Sequence, residues 1–251
     1  MWFKSRNIIT VIILGVLIYF SMELTEFNLS KFRDFRNMVD FLGEWFPMDY
    51  AKLPHMLEDS LETLGMAFLG SLFGLIVALP LSFVAARNTS PSGFFYHLSR
   101  VLLSFVRSIP EIVFGLILLT ALGLGPFPAV LAIMFHNIGV LGKLISELIE
   151  ASDSGPQEAM KAVGAKKGFA YLFSILPQIW PNVLSHYFYR FEVAIRTSLI
   201  LGFIGGGGIG QRLFNDFKTF QYSSVSLDVL IIMVIVIIVD LFGSFVRNKV
   251  I

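Results

Sequence analysis

The sequence predicts an all-α polytopic membrane protein with about six transmembrane helices, on the strength of three observations. Hydrophobic residues make up 55% of the 251 residues and charged residues only 15%, whereas an average soluble domain has about 25% charged residues. Long uncharged stretches recur along the chain, and a helix that crosses the hydrocarbon core needs about 20 apolar residues. Their residues do not alternate with period two, so the strands of a membrane barrel fit poorly.

The first predicted span, 7–22, follows Lys4 and Arg6. This opening also fits a secretory signal, but no small-x-small cleavage site follows it, so we expect an uncleaved first helix. The remaining predicted spans are 64–86, 101–122, 127–149, 179–204 and 227–246. The third of the six is the least regular, because Arg107, Pro110 and Glu111 interrupt it.

The distribution of Lys and Arg predicts the orientation of these spans. Bases without any acid occur in the N-terminal tail, in the 87–100 connection and in the C-terminal tail. Six spans place all three on one face, which the positive-inside rule makes cytoplasmic. The 23–62 connection has nine acids against four bases and falls on the other face. Both termini are therefore predicted to be cytoplasmic.

The 23–62 connection also has a helical pattern. Its apolar residues at helical spacing are Phe32, Phe35, Met38, Val39, Leu42 and Phe46, and Pro47 closes the run. Such a helix either lies flat on the outer membrane interface or packs against the bundle. We therefore expect an N-terminal helix and extracytoplasmic interfacial segment over 1–60, and the transmembrane domain over 61–251.

Small and polar residues inside the spans predict helix packing. Gly70 and Gly74 form a G-x-x-x-G step that favours a close approach of two helices. His136 and Asn137 either form a helix–helix hydrogen bond or line a cavity. The four histidines, His55, His97, His136 and His186, lack ligand spacing, so no metal site is expected. The absence of cysteine excludes thiol chemistry, and the net charge of +1 argues against a nucleic-acid partner.

The segment GGGGIG formally satisfies the dinucleotide-binding pattern G-x-G-x-x-G. That motif needs a strand before it and a helix after it, and a phosphate-binding P-loop needs Lys and Ser/Thr where Gln211 and Arg212 stand. The glycines are instead expected to form a sharp helix end, or gate, near the outer face; weak phosphate contact by their N–H groups stays open. These residues are Gly205, Gly206, Gly207, Gly208 and Gly210.

The cytoplasmic connection 150–178 predicts a short helix. Ser154 and Gln157 have capping-box spacing, and Glu158 lies near the positive end of the helix dipole. Its small apolar stripe and surrounding bases are Ala159, Ala162 and Val163 with Lys161, Lys166 and Lys167. Such a helix either enters a groove on a partner protein or packs on its own bundle, and the residues alone leave both arrangements open.

Glu158-Ala159-Met160, Gly164 and Leu176-Pro177 resemble the E-A-A signature of ABC importer permeases, with Met160 and Ser174 departing from it. The resemblance implies a coupling helix near 154–168 that docks into an ATPase subunit. It assigns this role to Glu158, Ala159, Lys161, Ala162 and Gly164.

Further motifs resemble the phosphonate ABC transporter permeases. They are Ala85–Asn88, Arg107–Glu111, Gly123–Phe127, Gly139–Lys143, Tyr189–Val193, Gly205–Gln211 and Phe220–Tyr222. The resemblance implies a type I ABC importer permease bundle in a bacterial inner membrane, with no cofactor of its own. It also implies a second permease copy, an ATPase dimer that binds ATP and Mg, and an extracytoplasmic binding protein. The expected cargo is an organophosphonate, with phosphite and phosphate as competitors.

Four charged residues within the spans have two interpretations. Arg107 with Glu111, and Glu192 with Arg196, are four residues apart, so each pair either neutralises itself on one helix or lines a translocation pathway. A guanidinium beside the pathway would bind an oxyanion through paired hydrogen bonds. Asp240 is expected near the cytoplasmic interface or in a dimer contact.

Two other classes of function remain as alternatives. A membrane enzyme acting on lipid phosphates would need a clustered His/Asp/Glu site, and the histidines are scattered. A proton-coupled secondary transporter would use Glu111, Glu192 or Asp240 as proton carriers. A transport subunit without catalytic residues is the leading prediction.

Overall fold

The computed structural model describes residues 5–250, apart from the side chains of residues 5, 6, 31, 32, 34 and 250. Within that range the chain is helical and contains no strand, which confirms the all-α prediction. The helices are α1 (Ser5–Leu24), α2 (Phe35–Gly43), α3 (Leu53–Ala85), α4 (Gly93–Ser108), α5 (Glu111–Leu122), α6 (Pro126–Ala151), α7 (Gly155–Ala162), α8 (Lys167–Ser174), α9 (Leu176–Phe203), α10 (Gly208–Lys218) and α11 (Tyr222–Val250).

The chain divides into two compact bodies, 1–46 and 47–251. The first holds α1, a short 3-10 helix at Leu29–Asp34, and α2. The predicted amphipathic helix is thus present, and the apolar side chains of Phe35, Met38 and Leu42 are exposed. Phe32 belongs to the same pattern, but its side chain lies outside the described residues.

Four helical segments are long and apolar enough to cross a membrane: 7–24, 50–85, 126–151 and 222–249. Two bent pairs, α4 with α5 and α9 with α10, raise the number to six if each pair forms one span. The prediction of about six spans agrees with this range. Helix α11 has 29 residues, or about 44 Å at 1.5 Å per residue, which exceeds the roughly 30 Å hydrocarbon core.

The third predicted span, 101–122, is wrong as a single helix. Helices α4 and α5 meet at a bend of 84°. Ile109, the residue before Pro110, has an extended backbone at φ −84° and ψ 121°, because the proline ring disfavours a helical conformation there. With 12 residues, α5 is about 18 Å long and cannot cross the core alone.

Glycines bring α3 and α6 into close contact, as the G-x-x-x-G step predicted. A Cβ on Gly70 would lie 2.6 Å from Cγ2 of Ile133, and one on Gly74 would lie 2.7 Å from Cβ of Asn137. Both distances are too short for a real side chain, so the contact requires glycine. This seam holds the centre of the bundle, where α9 also packs through Ala194.

Candidate translocation and coupling sites

Helix α7 begins differently from the capping box that the sequence predicted. The backbone N–H of Gly155 donates to Oδ1 of Asp153 at 3.0 Å. The hydroxyl of Ser154 instead faces Glu158, with 3.4 Å between Oγ and Oε1. Ser154 has a helical φ of −77° and ψ of −21°, whereas a capping side chain usually needs an extended backbone. Ser154 therefore makes no side-chain cap, and the Asp153 carboxylate accepts the first N–H of α7 instead.

Helix α7 presents an uncovered surface. The five residues to which the resemblance assigned coupling, Glu158, Ala159, Lys161, Ala162 and Gly164, are exposed. Val163 beside them is 79% exposed. Gln157 is the buried residue of this helix. Gly164 ends the segment with φ +78°, a conformation that favours glycine.

A single side chain attaches the start of α7 to the first turn of α9. Oε1 of Gln178 accepts from the backbone N–H of Asp153 at 3.0 Å, and Nε2 donates to the Asp153 carbonyl at 3.3 Å. Both backbone polar groups of one residue are thus satisfied by one amide. The segment that carries α7 is held to α9 by this clamp.

A polar network crosses the middle of the bundle. Nε of Arg190 on α9 donates to Oδ1 of Asn137 on α6 at 2.7 Å, and Nη2 lies 3.0 Å from Oε1 of Glu111 on α5. Asn137 in turn donates to Oγ of Ser71 on α3 at 3.3 Å. Nε2 of His136 lies 3.4 Å from the same Glu111 oxygen. One network therefore links four helices.

This network lies deep in the apolar region. Asn137 is 11 residues after Pro126, the first residue of α6, which places it about 16 Å along the helix axis. Isolated charges at bilayer depth are costly and normally have partners. Here the Arg190 guanidinium neutralises Glu111. The prediction of a helix–helix hydrogen bond at His136-Asn137 is confirmed by Asn137.

Both intrahelical ion pairs that the sequence allowed are wrong. The bend at Pro110 turns Arg107 away from Glu111, which pairs with Arg190 instead. Glu192 pairs with Arg247 of α11. Arg107 and Arg196 are exposed and have no carboxylate within ion-pair distance among the described residues.

Asp240 and Arg196 line one narrow crevice between α9 and α11. Asp240 is exposed there, on the face of α11 that is next to Glu192. Its predicted place, at an interface or in a dimer contact, stays a prediction.

The sequence did not identify Arg190 as the residue that joins the polar network. Arg190 stands inside the family-like motif Tyr189–Val193, and its position as a charged residue within the apolar span 179–204 was the available signal. Reasoning also missed Asp228 of α11, which is fully buried. Neither of its carboxylate oxygens has a hydrogen-bond partner among the described residues.

The glycine segment forms the sharp turn that was predicted, between α9 and α10. Gly205, Gly207 and Gly208 have φ of +99°, +87° and +69°. The Gly205 carbonyl accepts from the N–H of Gly125 at 2.9 Å, and the N–H of Ile209 donates to Oγ1 of Thr63 at 3.0 Å. The turn is therefore joined to α3 and to the α5–α6 connection.

A cavity of about 380 Å³ opens beside this turn. Three carboxylates line it, those of Asp59, Glu62 and Asp216. Its one arginine, Arg212, is paired with Asp59, and Gly207 donates its N–H to Oε1 of Gln211 at 2.9 Å. The negative lining disfavours a phosphate at these N–H groups.

Candidate spans, a buried ionic network between helices and an uncovered short helix outside the spans fit a subunit of a membrane transporter. Residues 70–251 match the family described as binding-protein-dependent transport system inner membrane component. The chain belongs to this family and is a permease subunit of an ABC importer. Because the family consists of transport subunits, it does not support the lipid-phosphate enzyme considered above.

Two curated relatives are similar over most of their length. The phosphite transport system permease protein PtxC of Stutzerimonas stutzeri is 37% identical over 84% of this chain and 77% of its own. The putative phosphite transport system permease protein HtxC of the same organism is 31% identical over 97% and 87%, respectively.

A solved structure confirms the fold. The chain resembles one of the MetNI methionine ABC transporter, in an inward-facing conformation, with a TM-score of 0.71. That match has 18% sequence identity and covers 81% of this chain and 100% of the other. The predicted ABC importer permease bundle is thus confirmed.

Proposed function

We propose that this chain forms the transmembrane pathway for a phosphorus oxyanion, a phosphonate or phosphite, in an ATP-driven importer. The observation that carries the proposal is the similarity to PtxC and HtxC, which are described as phosphite transport permeases. The phosphonate-type motifs between Ala85 and Tyr222 point to the same class of tetrahedral anion. Phosphate is the third member of the class.

The experiment that tests the cargo is growth of a deletion strain. Methylphosphonate, phosphite or phosphate is supplied as the sole phosphorus source, and the strain is complemented with the intact gene. The proposal is supported if the deletion strain fails to grow when methylphosphonate or phosphite is the sole phosphorus source, and if the intact gene restores that growth. Normal growth of the deletion strain on both, in a host without another importer for them, would overturn it.

The pathway residues follow from the two exposed arginines. Arg107 and Arg196 lack a carboxylate partner, so their guanidinium groups are available to a passing oxyanion. Glu111 and Glu192, also assigned to the pathway, are already neutralised by Arg190 and Arg247. The arginines therefore supply the attraction, and the carboxylates would shape the pathway walls.

Alanine at either arginine tests this assignment. Arg107→Ala and Arg196→Ala should each lower uptake about tenfold, because each loses one charge-assisted hydrogen bond to the anion. The amount of assembled complex should not fall. Arg36→Ala is the control. Arg36 is exposed and belongs to the first body rather than to the proposed pathway, and its Nε lies 4.0 Å from Oδ2 of Asp40. Normal uptake by both pathway variants would contradict the assignment.

Helix α7 is the proposed docking element for the ATPase, on the cytoplasmic side where both termini also lie. Its exposed Ala159, Ala162 and Val163 form a small apolar face that fits a groove on a partner. Two copies of the chain would pair around the pathway, with two ATPase subunits below and a binding protein above. ATPase closure would move α7 and switch the pathway between its two orientations.

Gly164→Val tests the docking role. Valine at φ +78° is strained, although a Cβ there meets no atom within 4 Å, so the bundle itself should fold. ATP hydrolysis should then continue while uptake falls. Gly168→Val is the control, since Gly168 also has open space but no positive φ. Full coupled uptake by Gly164→Val would contradict docking through this turn.

A further inference from the structure

A second cavity, of about 440 Å³, lies between the end of α3 and the start of α4. Its lining contains bases and hydroxyl groups and no acid. The lining residues are Arg87, Ser90, Ser92, Gly93, Tyr96 and His97. None of them belongs to the pathway or to the coupling segment proposed above.

Several hydrogen-bond donors at this cavity are free. The Arg87 side chain is exposed and has no carboxylate within ion-pair distance among the described residues. His97 on the first turns of α4 is exposed as well. Ser92 makes no side-chain cap to α4, so the first N–H groups of the helix add to these donors. A guanidinium, an imidazole and hydroxyl groups around one cavity suit a phosphate group.

The walls of the cavity are fixed by bonds to the end of α6. The side chain of Asn88 donates to the Ile149 carbonyl at 2.8 Å, and the backbone N–H of Arg87 donates to Oε1 of Glu150 at 2.8 Å. Nη2 of Arg100 lies 3.2 Å from the other oxygen of Glu150. Because Glu150 is neutralised, it leaves the positive charge of Arg87 uncompensated.

The same helix exposes an apolar stripe that begins at the cavity. Its residues are Phe94, Phe95, Leu98, Val101, Leu102 and Phe105, which are 42–70% exposed. They recur at helical spacing along one side of α4. A ligand with a phosphate at the cavity would therefore have an apolar surface directly beside it for hydrocarbon chains.

We propose that this cavity binds the phosphate headgroup of an anionic phospholipid, with the acyl chains along the exposed stripe of α4. The 87–100 connection carries bases without acids, which is typical of the leaflet that attracts anionic lipids. The bound lipid would brace the end of α6, immediately before α7. This inference holds whichever phosphorus oxyanion the importer carries.

Lipid titration of the purified transporter complex in neutral detergent tests the proposal. Dioctanoyl phosphatidylglycerol is added and the unfolding temperature of the permease is measured. A saturable rise is expected, with a smaller effect from dioctanoyl phosphatidylcholine. Arg87→Gln and His97→Gln should each weaken the apparent affinity, by about tenfold for Arg87 as one charge-assisted hydrogen bond is lost.

The control variant is Lys249→Gln, which removes an exposed charge from the C-terminal tail, away from the cavity lining. It should titrate like the unaltered protein. Equal weakening by Lys249→Gln, or no effect of phosphatidylglycerol, overturns the proposal. A rise of the same size with inorganic phosphate at matched concentration also overturns it, because the ligand would then be free phosphate rather than a lipid.

Discussion

Arg190→Met should destabilise the bundle strongly, because Arg190 holds the polar network together. The substitution removes the 3.0 Å ion pair with Glu111 and the 2.7 Å bond to Asn137. The Arg190 side chain is 10% exposed and the Glu111 side chain 24%, so the carboxylate would remain unneutralised in a half-buried place. Breaking such a pair costs about 3–5 kcal/mol, or roughly 6–20 °C in unfolding temperature at 2–4 °C per kcal/mol.

The assay is thermal unfolding of the purified complex in detergent, with two comparison variants. Arg196→Met makes the same change on the same helix, but Arg196 is exposed and without an ion-pair partner, so about ±0.5 kcal/mol is expected. Adding Glu111→Gln to Arg190→Met removes the orphan charge and should restore part of the loss. The reasoning fails if Arg190→Met unfolds at the normal temperature, or if Glu111→Gln only adds a further loss.

Three further predictions use the same unfolding measurement. Asp228→Asn should leave the unfolding temperature unchanged or raise it by the equivalent of about 1 kcal/mol, because neither carboxylate oxygen has a partner to lose; a large drop would reveal one. Gly210→Ala should cost about 1–3 kcal/mol, since its Cβ would collide with the backbone of α9. Gly65→Ala, which has open space inside α3, should be neutral or stabilise by up to about 1 kcal/mol. Arg247→Gln should lower the temperature by leaving Glu192 unpaired, and adding Glu192→Gln should reverse part of that loss; independent effects would contradict the pairing.

Features that depend on short stretches of sequence were predictable. The glycine turn at 205–208 and the close packing at Gly70 and Gly74 follow from the missing Cβ, which acts locally. The short helix α7 follows from a motif of adjacent residues. Each of these needs only the neighbouring chain, so the sequence alone was sufficient.

Pairings between distant helices were not predictable. Glu111 and Arg190 are 79 residues apart, and Glu192 and Arg247 are 55 apart. Spacing rules for one helix favour partners four residues away and assume a straight helix. The bend at Pro110 removes that condition for Glu111, and the crossing of α9 with α11 offers Glu192 another guanidinium. Only the tertiary arrangement decides between such competing partners.

The clamp between Gln178 and Asp153 connects the segment that carries α7 to one end of a single long helix, α9. Helix α9 has 28 residues, so it is about 42 Å long and runs from that clamp to the glycine turn. A displacement at one end of this helix is carried along its axis to the other end. If α7 docks the ATPase as proposed, a displacement of α7 would therefore reach the glycine turn through this one helix.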